Sequence, residues 1–264
     1  MMKVEFLKEM RVFSQPDDML QIVDQLFDNV NSNTILFKTT ENQNVVFSSC
    51  ATITRVPAFG TPLTPGTTVT KTADFGTTGC VLNNGNIVSG KIITSFVFQP
   101  TAISHTITYT LDNFKHNGIN FNGTKTITRS LTTATATNPA HPIAVMLLDM
   151  TVTMPNGTVY NRVGTRTREF VEGFSTPQIA DNIFRITGNW TTTPANGTAH
   201  TATITTPLMA KMSCIAVNKP LLVSGVITFV KNGTTATLNY GNGVCDNTAV
   251  FTINGNSFTL VIGN

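Results

Sequence analysis

Arg162, Arg166 and Arg168 fall within seven residues of one another, in a stretch of alternating side chains. Guanidinium groups are planar forks that grip carboxylates and phosphates through paired hydrogen bonds. Their placement depends on the turn just upstream. If Asn156-Gly157 forms a two-residue type I′ turn, paired positions sum to 313. Thr151 then faces Arg162, Asp149 faces Gly164 and Leu147 faces Arg166. One face would carry Met146, Leu148, Met150, Val152 and Met154 opposite Val159 and Val163, and would be the core face. The other would carry the three arginines, with Asp149 diagonal to two of them at about 7–8 Å. The expectation is an anion-binding ridge of Arg162, Arg166, Arg168 and Asp149 on the solvent side. The plainer alternative is a solvated face whose ion pairs contribute about 0–1 kcal/mol each.

The four cysteines could form disulfides or hold a metal. Cys50 and Cys80 are 30 residues apart, Cys214 and Cys245 are 31 apart, and an aromatic-Gly pair (Phe75-Gly76, Tyr240-Gly241) precedes each closing cysteine at the same offset. These agreements point to a duplicated unit, around 49–80 and 213–245, bridged Cys50–Cys80 and Cys214–Cys245. Four cysteines allow three connectivities, and the duplication selects this one. No cysteine pair has zinc-knuckle spacing and no histidine falls beside one, so no metal site is expected. Disulfides imply an oxidising compartment.

Catalytic constellations are absent from the sequence. His105, His116, His141 and His200 share no ligand spacing. Asp112, Asp149, Asp181, Glu169 and Glu172 could supply a carboxylate pair for glycoside hydrolysis, but nothing in the spacing brings two together. There is no nucleophile elbow, no zinc-protease run and no phosphate loop, so no cofactor is expected. Phe96, Phe98, Phe114, Phe121, Tyr109 and Trp190 are the aromatics available for a carbohydrate platform.

The elements that must position these residues are strands. Asn-Gly occurs at 84–85, 117–118, 122–123, 156–157, 196–197, 232–233, 242–243 and 254–255, between runs of alternating residues. Asn-Gly is a strong hairpin signal, because a type I′ turn needs positive φ at both central positions. The 47 Thr residues suit a pleated surface and the 26 Asn residues suit turns. The expected fold is all-β: an antiparallel hairpin meander over 34–264, forming a sandwich or barrel with an internal duplication. It is preceded by one helical lead-in, 1–33. In that lead-in Ser14 and Asp17 have capping-box spacing, and Met19, Ile22, Val23, Leu26, Phe27 and Val30 recur at helical intervals.

Composition narrows the partners. Only 12% of residues are charged and the formal net charge is +3. The basic residues form no run and no aromatic-interleaved patch, so nucleic acid is not an expected partner. No stretch approaches the 18 or so consecutive apolar residues of a membrane-spanning helix. The first residues (Met1, Met2, Lys3, then Glu5, Lys8, Glu9, Arg11) lack the apolar run of a signal peptide. The expectation from the remaining sequence is that this chain begins downstream of its export signal.

Tyr240-Gly241-Asn242-Gly243 with Cys245-Asp246-Asn247 and Ala249, then Ile253-Asn254-Gly255, resembles the C-terminal signature of uncharacterised envelope lipoproteins of Bacteroidetes-type bacteria. Asn122-Gly123-Thr124-Lys125-Thr126, Gly164-Thr165-Arg166-Thr167-Arg168-Glu169 and Ile186-Thr187-Gly188 resemble the same family. The resemblance implies an exported, lipid-anchored protein, periplasmic or at the cell surface, whose membrane association is through the anchor alone. It brings no catalytic residues. The expected role is non-enzymatic: structure, adhesion or binding of a cell-surface glycan or protein. The alternative is a hydrolase acting on glycans or lipids through a carboxylate pair. Residues 215–222 read as an insertion before Val223-Ser224-Gly225, where the second unit should bulge.

Overall fold

The computed structural model describes residues 50–82, 85–195 and 197–262. The lead-in helix expected over 1–33 lies outside them. The described chain forms β1 (Thr52–Val56), β2 (Thr68–Asp74), β3 (Cys80–Val81), β4 (Ile87–Val97), β5 (Ser104–His116), β6 (Ile119–Leu131), β7 (Pro142–Thr153), β8 (Val159–Glu172), β9 (Ile183–Pro194), β10 (His200–Lys211), β11 (Leu222–Lys231), β12 (Thr234–Asn242), β13 (Thr248–Ile253) and β14 (Asn256–Val261). A 3₁₀ turn, Met212–Val217, breaks the run between β10 and β11, near the expected insertion. Every pairing is antiparallel, and apart from the short β3, which pairs with β4, each strand lies beside its sequence neighbours. The expected hairpin meander is therefore observed, as one sheet that does not close, with β1 and β14 at its edges.

The Asn-Gly pairs serve several purposes. At 117–118, 232–233 and 254–255 both residues have positive φ, as a type I′ turn requires. Asn122-Gly123 instead lies inside β6, where the Gly123 backbone approaches Asp149 so closely that a Cβ would collide with its carbonyl oxygen. Asn156-Gly157 belongs to a three-residue loop. Met154 and Thr158 close it (Met154 N to Thr158 O, 2.8 Å), Gly157 has φ 82°, and Asn156 is not left-handed. Pro155 supplies a fixed φ for a type I turn, and Gly157 completes it in the left-handed region.

That extra residue moves the β7–β8 register by one. Met150 pairs with Arg162, Asp149 with Val163, Leu148 with Gly164 and Met146 with Arg166, so the sum is 312. A one-residue slip sends every side chain of a strand to the other face. The three arginines therefore share the face of Met146, Leu148 and Met150, and Asp149 points the opposite way. The expected solvent-side ridge is corrected to a feature of the inner face.

Two clusters make up the core of that face. One joins β2 through β7 and is centred on Ile92, Phe114, Phe121 and Val152; the other joins β9 through β14 and is centred on Ala202, Leu238 and Phe251. The 14-residue β8 contributes no fully buried residue and runs between them. The sheet also curls. Arg166 on β8 acts electrostatically on the Tyr240 hydroxyl of β12, four strand steps away and about 19 Å distant on a flat sheet.

Each half carries a staple. Cys50–Cys80 encloses the β1–β2 hairpin and Cys214–Cys245 encloses the β11–β12 hairpin, with Cα separations of 5.6 and 5.3 Å. Both expected pairings are present. Closing a loop of about 30 residues stabilises by roughly 3–4 kcal/mol in the chain-entropy model. The double variant Cys214→Ser/Cys245→Ser should lose about that much in urea unfolding, and an unchanged midpoint would show that the bridge contributes nothing.

Candidate anion-binding site

The site is built along β8 and β9. On the inner face Gly164 stands between Arg162 and Arg166, and its cross-strand partner on β9 is Trp190. Gly164 has no side chain, and an added Cβ would collide with Trp190 Cα and Cβ. The indole thus lies over the glycine, and the guanidinium carbons of Arg162 and Arg166 each sit 5.6 Å from its ring centroid. Such cation–π contacts contribute about 0.5–2 kcal/mol each, more where water is excluded. Arg162 Nε also donates to Thr192 Oγ1 at 3.0 Å, and Thr192 is fully buried. Arg168 lies over Phe184 at 4.8 Å, within a stack that includes Phe170. Burial pushes the Tyr240 phenol up to about 12, against the pull of Arg166, so at neutral pH its hydroxyl is a neutral donor.

The same face continues across β2 to β7 in registered rows. Lys71, Thr94, Tyr109, Lys125, Leu148, Gly164 and Trp190 form one row; Leu111, Gly123, Met150, Arg162, Thr192 and His200 form the next. Lys71 is fully buried, with its ammonium 5.7 Å from the Phe96 ring centroid, and Lys125 and His200 are buried too. Among the described residues, eight of the thirteen Lys and Arg stand on this face: Arg55, Lys71, Lys125, Arg129, Arg162, Arg166, Arg168 and Lys231. The other five are Lys91, Lys115, Arg185, Lys211 and Lys219. The strand carboxylates Asp74, Asp112, Asp149, Glu169 and Glu172 all register with the opposite face, and Asp181 and Asp246 lie in connections. Sequence spacing located the arginines but not the lysines, because their convergence requires the register of six strands.

The outer face holds a different cluster. His141 Nε2 lies 2.8 Å from Glu169 Oε1, and Arg185 Nε donates to Glu169 Oε2 at 3.0 Å. His141 Nδ1 is 2.8 Å from the Pro139 carbonyl oxygen and 3.3 Å from Thr132 Oγ1. A hydroxyl, an imidazole and a carboxylate in line suggest nucleophilic catalysis. Here, however, Nδ1, the nitrogen nearest the hydroxyl, also faces the Pro139 carbonyl oxygen, which can only accept, so Nδ1 carries a proton. The Glu169 hydrogen bond and then the Pro139 carbonyl raise the His141 pKa above its ordinary value. Such a ring cannot take a proton from Thr132. Burial alone would raise Glu169, but its bonds to His141 and Arg185 hold it below the usual carboxylate range. Of the aromatics considered for a sugar platform, Tyr109, Phe114 and Phe121 are core, Phe96 lies against Lys71, and Trp190 stands between the β8 arginines. Among the described residues no group of three His, Cys, Asp or Glu could hold a metal ion, and no helix is long and apolar enough to cross a membrane.

Two measurements probe these clusters. Gly164→Ala should force Trp190 off the sheet, costing about 1–3 kcal/mol as an overpacked contact, and should shift the emission of the chain's single tryptophan. Unaltered emission and stability would mean that the indole does not rest on Gly164. The His141–Glu169 pair should stabilise most between the two altered pKa values. A histidine with a raised folded pKa contributes fully below about 6.5 and loses the contribution as pH rises through the folded value. A depressed glutamate contributes above its unfolded pKa and loses the contribution as pH falls through the folded one. His141→Gln should therefore destabilise at pH 6 and much less at pH 9; an equal loss at both would contradict the pairing.

Comparison of the chain with protein-family models found no match, and neither curated proteins nor solved structures gave one.

Proposed function

We propose that this chain is an exported, non-enzymatic binding protein of a bacterial cell envelope, and that its inner sheet face receives a carboxylate-rich polyanion such as an acidic cell-surface glycan. The observation that carries the reading is the segregation of charge: eight cations and none of the strand carboxylates on one concave face. A curled surface of one sign concentrates field lines and gathers oppositely charged partners. The two disulfides are consistent with an oxidising, extracytoplasmic environment. The sequence resemblance to Bacteroidetes-type envelope lipoproteins supports a place at the cell surface, with a lipid anchor as the route of attachment. A hydrolase would need two carboxylates facing one cleft, and among the described residues the strands bring none to the cationic face.

Trp190 gives a direct readout, since it is the only tryptophan and touches both central arginines. Titrating the full chain with polygalacturonate should change Trp190 emission, whereas neutral dextran should not. Affinity should fall at least tenfold in Arg162→Glu/Arg166→Glu, about 1.4 kcal/mol, and should weaken between 50 and 500 mM salt. The outer-face variant Lys115→Glu should leave it unchanged. Equal binding by the neutral polymer, or by the double variant, would overturn the reading.

A further inference from the structure

The two ends of the sheet differ. At one end the chain turns back at 75–79, 82–86, 117–118, 154–158, 195–199, 232–233 and 254–255. Among the described residues, none of these connections holds an exposed large apolar side chain. At the other end it turns at 57–67, 98–103, 132–141, 173–182, 212–221 and 243–247. There Phe59, Ile103, Ile179, Ile215, Val217 and Val244 are between 51% and 93% exposed. Ten of the eighteen exposed large apolar residues among the described ones lie in these connections or at the strand ends beside them. Single exposed apolar residues are ordinary, but their concentration on one rim marks a contact surface.

The rim is also nearly free of charge. Its fifty-two connecting residues hold three ionic side chains, Asp181, Lys219 and Asp246. Asp181 accepts from Thr176 Oγ1 at 2.7 Å, Asp246 accepts from Thr248 N at 2.8 Å, and Lys219 acts electrostatically on Asp246. At the adjoining strand ends Arg55 donates to the Ala58 carbonyl at 2.9 Å, Lys211 to that of Gly243 at 3.0 Å, and Arg185 to Glu169. Successive connections are two strand steps apart, about 10 Å, and Thr, Asn and Pro stand between their apolar tips. A dry protein interface needs a contiguous apolar centre. A lipid surface does not, because each tip enters the acyl boundary by itself while neighbouring hydroxyls and carbonyls stay among the headgroups. We propose that this rim docks on a lipid surface with uncharged or zwitterionic headgroups, seating the tips of its connections at the boundary of headgroup and acyl chain.

The tips are held in place before any contact. Seven of the twelve prolines lie in these connections. Turn bonds fix three of them: Thr61 N to Ala58 O, Ala102 N to Gln99 O and Asn182 N to Ile179 O, each 3.1 Å. Cys214–Cys245 ties 212–221 to 243–247 and so brings Ile215 and Val217 beside Val244. Docking therefore orders little that is not already ordered, which lowers its entropic cost. The contact is separate from the inner-face site and is driven by apolar area, so screening by salt leaves it intact.

The test uses the full chain and vesicles of pure phosphatidylcholine. The chain should float with the vesicles to the same extent at 50 and 500 mM salt. Ile103→Ser/Ile179→Ser should lower the partition coefficient at least about tenfold. The outer-face variant Leu147→Ser/Val163→Ser, which removes apolar side chains of similar exposure, should leave it unchanged. Phe59→Trp should gain a blue-shifted emission component on adding vesicles, one that the wild type with Trp190 alone lacks. No flotation of the wild type, or an equal loss in both double variants, would overturn the inference. So would flotation abolished at high salt, or Phe59→Trp emission unmoved by vesicles. A dimer that dissolves in Ile103→Ser/Ile179→Ser, with no uptake by vesicles, would make the rim an interface between copies and remove the lipid contact. Polygalacturonate binding without flotation removes the lipid contact alone, and flotation without polymer binding removes only the polyanion reading.

Discussion

Side chains alternate along a strand with a period of two, so the residue count of one loop decides which half of β8 meets the core. The three residues Pro155, Asn156 and Gly157 put Arg162, Gly164 and Arg166 inside with Met146, Leu148 and Met150. With one residue fewer, Val163 and Thr165 would face inward and the arginines would stand in water. In a sheet with a single curled layer that choice is costly, because the inner face must supply both the core and any binding surface. β8 meets both demands without a fully buried residue: Arg162, Gly164 and Arg166 are half-buried on the inner face, while Asn161, Val163 and Thr165 are exposed on the other.

Holding guanidinium groups near a core costs desolvation free energy unless their charge is met by something. Here Trp190 lies between two arginines, Thr192 accepts from Arg162, and Phe184 lies under Arg168. These neutral partners orient the guanidinium planes on the inner face. On the outer face charge meets charge: Lys91 pairs with Asp74 at 3.2 Å, and Arg185 and His141 share Glu169.

Much of this arrangement was legible in the residues themselves. The all-β meander followed from Thr-rich alternation and Asn-Gly turns, and both disulfides followed from matched spacing. The arginine cluster was visible too, but its side was not. Asn-Gly after a proline reads as the tail of a three-residue loop, and Pro155 was the residue that could have said so, since its fixed φ suits a type I turn. Asn122-Gly123 misled for a different reason: close approach of β6 to β7, rather than a turn, demands that glycine. Lys71 and Lys125 could not be placed with the arginines from sequence, because they meet them only through Thr94, Tyr109, Leu148 and Gly164, a row assembled from six pairings.

The placement of the staples completes the logic. Each disulfide encloses a hairpin that packs into one of the two cores, and β8 belongs wholly to neither. It is held by its ladders to β7 and β9 and by the arginine–aromatic contacts, all within reach of whatever lies on the inner face. Local stability in a protein is lowest where buried apolar contact is sparse. The seam between two stapled cores is thus the part of this sheet whose order an anion would most increase, since a charge laid across Arg162 and Arg166 would tie β8 to both halves at once. Binding and the joining of the two cores would then be the same event.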